Sequence, residues 1–162
     1  MPNANQAITA YDFPPMGINR FMNLVEVLPK QEHIIEALLP KNQVMLIAGD
    51  PWQGKSLELQ HLTCGLGAGS NYHGFKLKKC QSLYITWEGA DDGIKDRFKK
   101  IYSILQPDIE PLIKLVPQPM QINTASGLND FKSLLNEAGQ ESVKPIEVVL
   151  IDSWSASTTF AG

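Results

Sequence analysis

The stretch Gly49-Asp50-Pro51-Trp52-Gln53-Gly54-Lys55-Ser56 decides the fold of this chain. It matches the pattern G-x-x-x-x-G-K-[ST], which indicates a phosphate-binding loop (P-loop) when a strand precedes it and a helix follows. Both neighbours have the required form, because residues 44–48 are an apolar run of strand length and residues 55–66 place leucines on one helical face. In such a loop, successive backbone N–H groups and the positive end of the helix surround a phosphate. We therefore predict that all eight residues bind a nucleotide.

Three side chains in the sequence suit the chemistry of ATP bound with Mg²⁺. Lys55 is expected to reach the β- and γ-phosphates as a catalytic residue, and the Ser56 hydroxyl is expected to bind Mg²⁺. Sites of this kind take a second metal contact from an Asp that ends a buried strand, and Asp152 follows the apolar run at 148–151. The sequence therefore predicts ATP and Mg²⁺ as cofactors, with Ser56 and Asp152 at the metal.

Glu88 and Trp52 each leave two interpretations open. Glu88 ends the strand predicted at 82–87, and the carboxyl ends of parallel strands meet at one edge of a sheet. There its carboxylate could act as the general base that polarises the attacking water. The alternative is that Glu88 simply begins a helix and is solvated. Trp52 is expected to pack on the outer side of the loop or on a neighbour, and a contact with base or ribose is its alternative.

Strands and helices alternate along the rest of the chain. The patterns predict helices at 31–39, 55–66, 94–105 and 126–138, strands at 44–48, 82–87, 112–116 and 146–151, and a glycine-rich connection at 65–74. Apolar strands without polar alternation are typical of a parallel sheet that is covered on both faces. The predicted fold class is therefore α/β, a parallel sheet flanked by helices. Its P-loop core spans residues 33–162, after an irregular lead-in at residues 1–32.

The composition excludes several classes of protein. The 162 residues carry a net charge of −3, which excludes a strongly basic protein that coats nucleic acid but not a local basic groove. Cys64 and Cys80 are too few for a disulfide framework and lack metal-ligand spacing, which favours a reducing cytoplasm. No apolar run reaches the roughly 18–20 residues of a membrane span, and the N-terminus does not have the form of a signal peptide. We expect a cytoplasmic protein with no membrane partner.

The order of these motifs resembles that of the RecA-like ATPases, in the branch that contains the hexameric replicative helicases of plasmids and phages. The likeness covers roughly residues 33–153 and includes the P-loop, the strand that Glu88 ends, a helix bearing Arg97, and the final Asp152-Ser153. The resemblance implies that Glu88 is the catalytic base. It also implies that Arg97 packs on the adenine of the bound nucleotide.

The same resemblance implies partners and a larger assembly. It points to single-stranded or duplex DNA, bound through regions beyond this chain, and to a homo-oligomer of hexamer type. In that fold a later strand separates the P-loop strand from the strand that Asp152 ends, so we expect residues 44–48 and 146–151 not to pair directly. Residues 153–162 are too few to supply the separating strand. We therefore expect a core that is incomplete at its C-terminus, with downstream strands missing.

Three functional hypotheses follow from these patterns. The leading one is an ATP-hydrolysing motor that acts on nucleic acid, of helicase or of recombination and repair type. One alternative is an ATP-dependent switch that regulates protein partners without nucleic-acid work. A small-molecule kinase is the second alternative, weakened because only Arg20 and Arg97 are available for an arginine-rich lid.

Overall fold

The computed structural model describes residues 16–27, 30–86, 92–105, 112–117, 121–142 and 144–153. The chain divides into two compact units, Met1–Gln31 and Glu32–Gly162. The elements in chain order are α1 (Ile18–Val27), β1 (His33–Ile35), β2 (Leu39–Pro40), α2 (Lys55–Ala68), β3 (Asn71–Tyr72), β4 (Phe75–Lys76), β5 (Gln81–Thr86), α3 (Asp92–Leu105), β6 (Ile113–Val116), α4 (Ala125–Gln140) and β7 (Ile146–Asp152).

The first unit contains helix α1. The prediction of an irregular lead-in at residues 1–32 is wrong for this segment, which has ten helical residues. Pro14-Pro15 bars a helix only in its own vicinity, and the segment from Ile18 to Val27 has neither Pro nor Gly to interrupt one.

A three-stranded parallel sheet lies in the second unit. Its strand order is β6-β5-β7, with Tyr84 opposite Leu115 on one side and opposite Leu150 on the other. All six residues of β5 are buried, as expected for the central strand of a sheet that helices cover on both faces. Because β5 and β7 run in the same direction, Thr86 and Asp152 come side by side at the carboxyl edge of the sheet.

Helices cover both faces of this sheet. On one face, Leu66 of α2 shares a buried cluster with Tyr84 and Leu150. On the other face, Leu83 shares a cluster with Ala138 of α4. The arrangement confirms the predicted α/β class, a parallel sheet flanked by helices.

Residues 44–48 do not form the predicted strand, although the structure describes them. Val44 is 96% exposed and Leu46 is 77% exposed, whereas Met45 packs against the buried cluster on the α2 side. A strand requires a hydrogen-bonded neighbour, and within the described residues β7 pairs with β5 and not with this segment. The segment has no regular secondary structure and leads into the P-loop, so the strand prediction is wrong.

The segment from β1 to β2 is a hairpin and not the predicted helix. Ala37 has a φ of 57°, a left-handed conformation that an α-helix does not contain. A contact with a distant part of the chain supports the hairpin, because the N–H of Glu36 donates to the carbonyl of Lys76 at 2.9 Å. Of the four apolar residues whose spacing predicted a helix, Ile34 and Ile35 are buried in the core, Leu39 packs against it and Leu38 is 46% exposed.

The glycine-rich connection predicted at 65–74 contains regular structure. The helix continues past Leu66 to Ala68, and Gly69 ends it with a φ of 68°. The N–H of Gly69 donates to the carbonyl of Gly65 at 2.8 Å, which is how a left-handed glycine commonly closes a helix. The antiparallel hairpin of β3 and β4 follows, so the connection predicted at 65–74 includes the last turn of α2 and most of a short hairpin.

The start of α4 requires glycine at position 127. The Thr124 side chain caps this helix by accepting the N–H of Gly127 at 3.0 Å, and its hydroxyl donates to the carbonyl of Gln121 at 3.0 Å. A Cβ on Gly127 would lie 1.8 Å from that same carbonyl oxygen, which is backbone and cannot swing away.

We expect Gly127→Ala to lower the free energy of unfolding by about 1–3 kcal/mol, the usual cost of forcing extra atoms into a packed site. The measurement is urea denaturation followed by circular dichroism. Gly139→Ala is the matched control in the same helix, since a Cβ there meets nothing within 4 Å. Equal stability of the two variants would contradict the prediction.

Candidate functional site

The P-loop leads into α2 at a helix end that no side chain caps. Gly54 is the N-cap and has a φ of 80°, a left-handed conformation that glycine adopts without strain. The first N–H groups of an α-helix lack partners within the helix, and the helix dipole makes this end positive. The structure therefore has an anion-binding helix end where the sequence pattern predicts phosphate.

Lys55 is anchored on its own loop. Its Nζ donates to the carbonyl of Gly49 at 2.8 Å and to the carbonyl of Asp50 at 2.7 Å. The N–H of Asp50 in turn donates to Oε1 of Gln53 at 3.1 Å. These bonds fix the loop on itself and place the lysine cation along it. Residues 49–54 are exposed, so a ligand can approach the loop from solvent.

Trp52 is fully exposed and has a φ of 68°. The predicted packing of its indole on the loop or on a neighbour is therefore not found within the described residues. A tryptophan in the left-handed region is uncommon, because its Cβ crowds the backbone there. The indole is left at the surface of the loop, beside the predicted phosphate site.

Ser56 and Asp152 lie next to each other, as the sequence predicts for two contacts to one metal. The Ser56 hydroxyl, in the first turn of α2, donates to Oδ1 of Asp152 at 3.0 Å. Asp152 ends β7 and is only 3% exposed, although 96 positions separate the two residues in the chain. The parallel sheet brings them together, since the helix that follows the loop packs on the strand that carries the aspartate.

The donors at this position fit Mg²⁺. Mg²⁺ prefers oxygen ligands and is usually bound through one or two protein groups plus phosphates and water, and Ser56 with Asp152 supplies a hydroxyl and a carboxylate. The hydroxyl of Thr86, the register partner of Asp152, is buried and lacks a hydrogen-bond partner among the described residues. Buried polar atoms in proteins are normally hydrogen-bonded, and a bound ligand or water can supply the hydrogen-bond partner of the Thr86 hydroxyl.

Tyr84 is a component of the site that sequence reasoning missed. Its hydroxyl, fully buried under α2, donates to Oδ2 of Asp152 at 2.6 Å. Burial raises the pKa of this phenol, and the bond to Asp152 raises it further, so the group stays a proton donor. Gln60 of α2 donates to the same hydroxyl oxygen at 3.4 Å. A signal was available, because a tyrosine in a fully buried strand needs a partner for its hydroxyl.

The two other predicted site residues have different outcomes. Arg97 lies on α3, and its Nε donates to Oε1 of Gln60 at 3.1 Å, so its guanidinium is held near α2. Its predicted contact with adenine stays a prediction. Glu88 lies outside the described residues, and its predicted role as general base also stays a prediction.

Other features of the described residues lie apart from this site. A shallow groove of about 500 Å³ runs along Leu135, Gly139 and Ile146, at the start of β7 and not at the end that carries Asp152.

No group of three or more His, Cys, Asp or Glu side chains in the described part of the chain could hold a metal ion. None of the helices described here is long and apolar enough to cross a membrane.

A loop with the G-x-x-x-x-G-K-[ST] pattern opens helix α2, and the hydroxyl of Ser56 is bonded to the aspartate that ends the parallel strand β7. Together these features define a P-loop nucleotide-binding domain. The chain belongs to the AAA domain family, which it matches over residues 14–161. This membership supports a P-loop ATPase and, with it, nucleotide binding. Comparisons with curated proteins and with solved structures give no significant match.

Proposed function

We propose that this chain is the ATP-hydrolysing core of a motor that acts on nucleic acid, of helicase or of recombination and repair type. The observation that carries the ATPase part is the bond between Ser56 and Asp152 beside the anchored Lys55. These groups match, one by one, what a P-loop site requires for the phosphates and for the metal. The nucleic-acid part rests on the order of motifs along the chain, which resembles that of the RecA-like motors.

In this proposal the loop binds the phosphates, and Ser56 and Asp152 bind the metal. Backbone N–H groups of residues 49–56 bind phosphate oxygens, and Lys55 neutralises charge on the β- and γ-phosphates. Ser56 and Asp152 are the protein contacts of Mg²⁺. Bound there, Mg²⁺ would act as a Lewis acid that neutralises charge on the phosphate oxygens.

Glu88 and Arg97 are assigned by sequence position in this proposal. Glu88 stands two positions after Thr86, the last residue of β5, in the sequence, and we propose that it acts at the carboxyl edge of the sheet. There its carboxylate accepts a proton from the attacking water. Arg97, whose planar guanidinium can stack on a ring, packs on the adenine.

The partners in this proposal are DNA, single-stranded or duplex, and further copies of the same chain in a hexamer-type ring in the cytoplasm. The motor hypothesis differs from a regulatory switch in one measurable way. In a motor of this kind ATP turnover is coupled to nucleic-acid binding, so added nucleic acid raises the turnover rate. The turnover rate of a switch changes only when its protein partner binds.

The test is release of inorganic phosphate from Mg²⁺-ATP by the full-length protein, alone and with single-stranded or duplex DNA, because the resemblance places the DNA-binding regions beyond residues 1–162. We expect turnover that DNA stimulates. Turnover that neither DNA form changes would overturn the nucleic-acid part and favour the switch. Transfer of labelled γ-phosphate to an organic acceptor, instead of to water, would favour the kinase.

A further inference from the structure

A continuous set of hydrogen bonds connects α3 with the carboxylate of Asp152. Arg97 donates to Gln60 at 3.1 Å, Gln60 donates to Tyr84 at 3.4 Å, and Tyr84 donates to Asp152 at 2.6 Å. Gln60, Tyr84 and Asp152 are all buried, and Arg97 is partly buried. The set therefore runs from the surface helix α3, through α2 and the central strand, to the proposed metal position.

The donors and acceptors in this set fix the direction of hydrogen-bond donation, which runs from Arg97 towards Asp152. Arginine can only donate, so the oxygen of the Gln60 amide faces Arg97 and its nitrogen faces Tyr84. The single hydrogen of the Tyr84 hydroxyl is then committed to Asp152, since an ionised carboxylate can only accept. Arg97 therefore orients the Gln60 amide, and Gln60 orients the Tyr84 hydroxyl. Tyr84 in turn orients the carboxylate of Asp152.

The three bonds differ in strength. A distance of 2.6 Å is typical of a hydroxyl that donates to a charged carboxylate, which is among the strong hydrogen bonds in proteins. At 3.4 Å the Gln60 bond to Tyr84 is long and correspondingly weak. Most of the orienting effect on Asp152 therefore comes from Tyr84, and Gln60 contributes less.

The consequence for Asp152 is a fixed rotamer. Tyr84 occupies Oδ2, which leaves Oδ1 to accept the hydroxyl of Ser56. Without the Tyr84 hydroxyl, the carboxylate would be free to turn about its side-chain bonds and would leave one oxygen buried without a partner. Metal affinity depends on groups that orient the ligands, and their loss typically costs about 10–100-fold.

We propose that Tyr84, supported by Gln60, is a positioning residue that orients Asp152 for Mg²⁺ and connects the metal position to Arg97 on α3. This inference rests on the proposed function, because it assumes that Asp152 binds the metal of a bound nucleotide. It predicts a specific defect, in which Mg²⁺ strengthens nucleotide binding less when the Tyr84 hydroxyl is removed.

The experiment measures ADP affinity by calorimetry twice for each protein, with Mg²⁺ and with a chelator. The ratio of the two affinities is the coupling between metal and nucleotide. We expect Tyr84→Phe to lower this ratio about 10-fold or more, the effect of losing a hydrogen bond to a charged group, and to leave the affinity in chelator unchanged. A general loss of structure would instead lower both affinities together.

Tyr72→Phe is the matched control. The Tyr72 hydroxyl is also in a buried residue and also donates to a carboxylate, that of Glu58 at 3.2 Å, but it is not bonded to Asp152. Its variant should keep the ratio of the parent chain. If Tyr84→Phe fails to fold by circular dichroism, Gln60→Met gives the answer, with a ratio lowered about 2–10-fold, as for a neutral hydrogen bond.

The possible outcomes separate the two proposals. A parent chain that does not bind ADP, or that binds it equally with and without Mg²⁺, overturns the proposed function and this inference with it. A parent chain with clear coupling and a folded Tyr84→Phe variant with the same ratio overturns the inference alone. If Tyr84→Phe does not fold but Gln60→Met does, an unchanged affinity ratio in Gln60→Met likewise overturns the inference alone.

Discussion

Lys55→Ala is expected to abolish measurable binding of Mg²⁺-ATP by this chain. The lysine is the one cation of the P-loop, and its Nζ is bonded to the carbonyls of Gly49 and Asp50. The substitution therefore removes a charge from the phosphates and also releases the loop from its anchor. A hydrogen bond to a charged group contributes about 1.5–3 kcal/mol, and a lysine can make more than one, so we expect affinity to fall about 100-fold or more.

Calorimetric titration with Mg²⁺-ATP gives this affinity directly. Lys76→Ala is the matched control, because it removes the same charge from an exposed position on β4. It should bind as the parent chain does. Affinity in Lys55→Ala equal to that of the control would exclude residues 49–56 as the phosphate site.

Sequence periodicity was sufficient for the elements that pack on the sheet. The apolar spacing of α3 and α4, the apolar centre of β5 at 83–85 and the apolar run at 148–151 in β7 predicted these four elements, with small differences at their ends. They are predictable because each contains an apolar run of strand length or apolar residues spaced with the period of a helix.

Periodicity failed where distant contacts decide the structure. The β1–β2 hairpin is supported by backbone bonds to the segment around β4, including the N–H of Lys78 donating to the carbonyl of Ile34 at 3.0 Å. No window of nearby residues contains that information. The strand prediction at 44–48 failed because a strand needs a hydrogen-bonded neighbour as well as an apolar sequence. The apolar run there suits a buried strand, but no described strand pairs with it.

The site was predictable to the extent that it follows a motif. The loop pattern and the aspartate after an apolar run were sufficient to predict the proximity of Ser56 and Asp152, which the structure has at 3.0 Å. Tyr84, Gln60 and their bond to Arg97 belong to no motif. They are visible only once the packing of α2, α3 and β5 shows which buried polar groups face one another.

Glu88→Gln is expected to separate hydrolysis from binding. The substitution keeps the size of the side chain but removes the carboxylate that accepts a proton from the attacking water. General-base catalysis contributes about 10²–10⁴-fold, so turnover should fall by about 100-fold or more. Affinity for Mg²⁺-ATP should be retained, because in the proposed arrangement Lys55, Ser56 and Asp152 bind the phosphates and the metal and Glu88 does not.

Single-turnover hydrolysis, with the chain in excess over labelled ATP, measures this effect even if multiple turnover is slow. Glu137→Gln is the matched control, since it makes the same change at an exposed position on α4. Hydrolysis by Glu88→Gln at the rate of this control would refute the general-base assignment. Loss of ATP affinity together with turnover would place Glu88 among the binding groups instead, because a pure base acts on the water and leaves the ground-state contacts of the nucleotide intact.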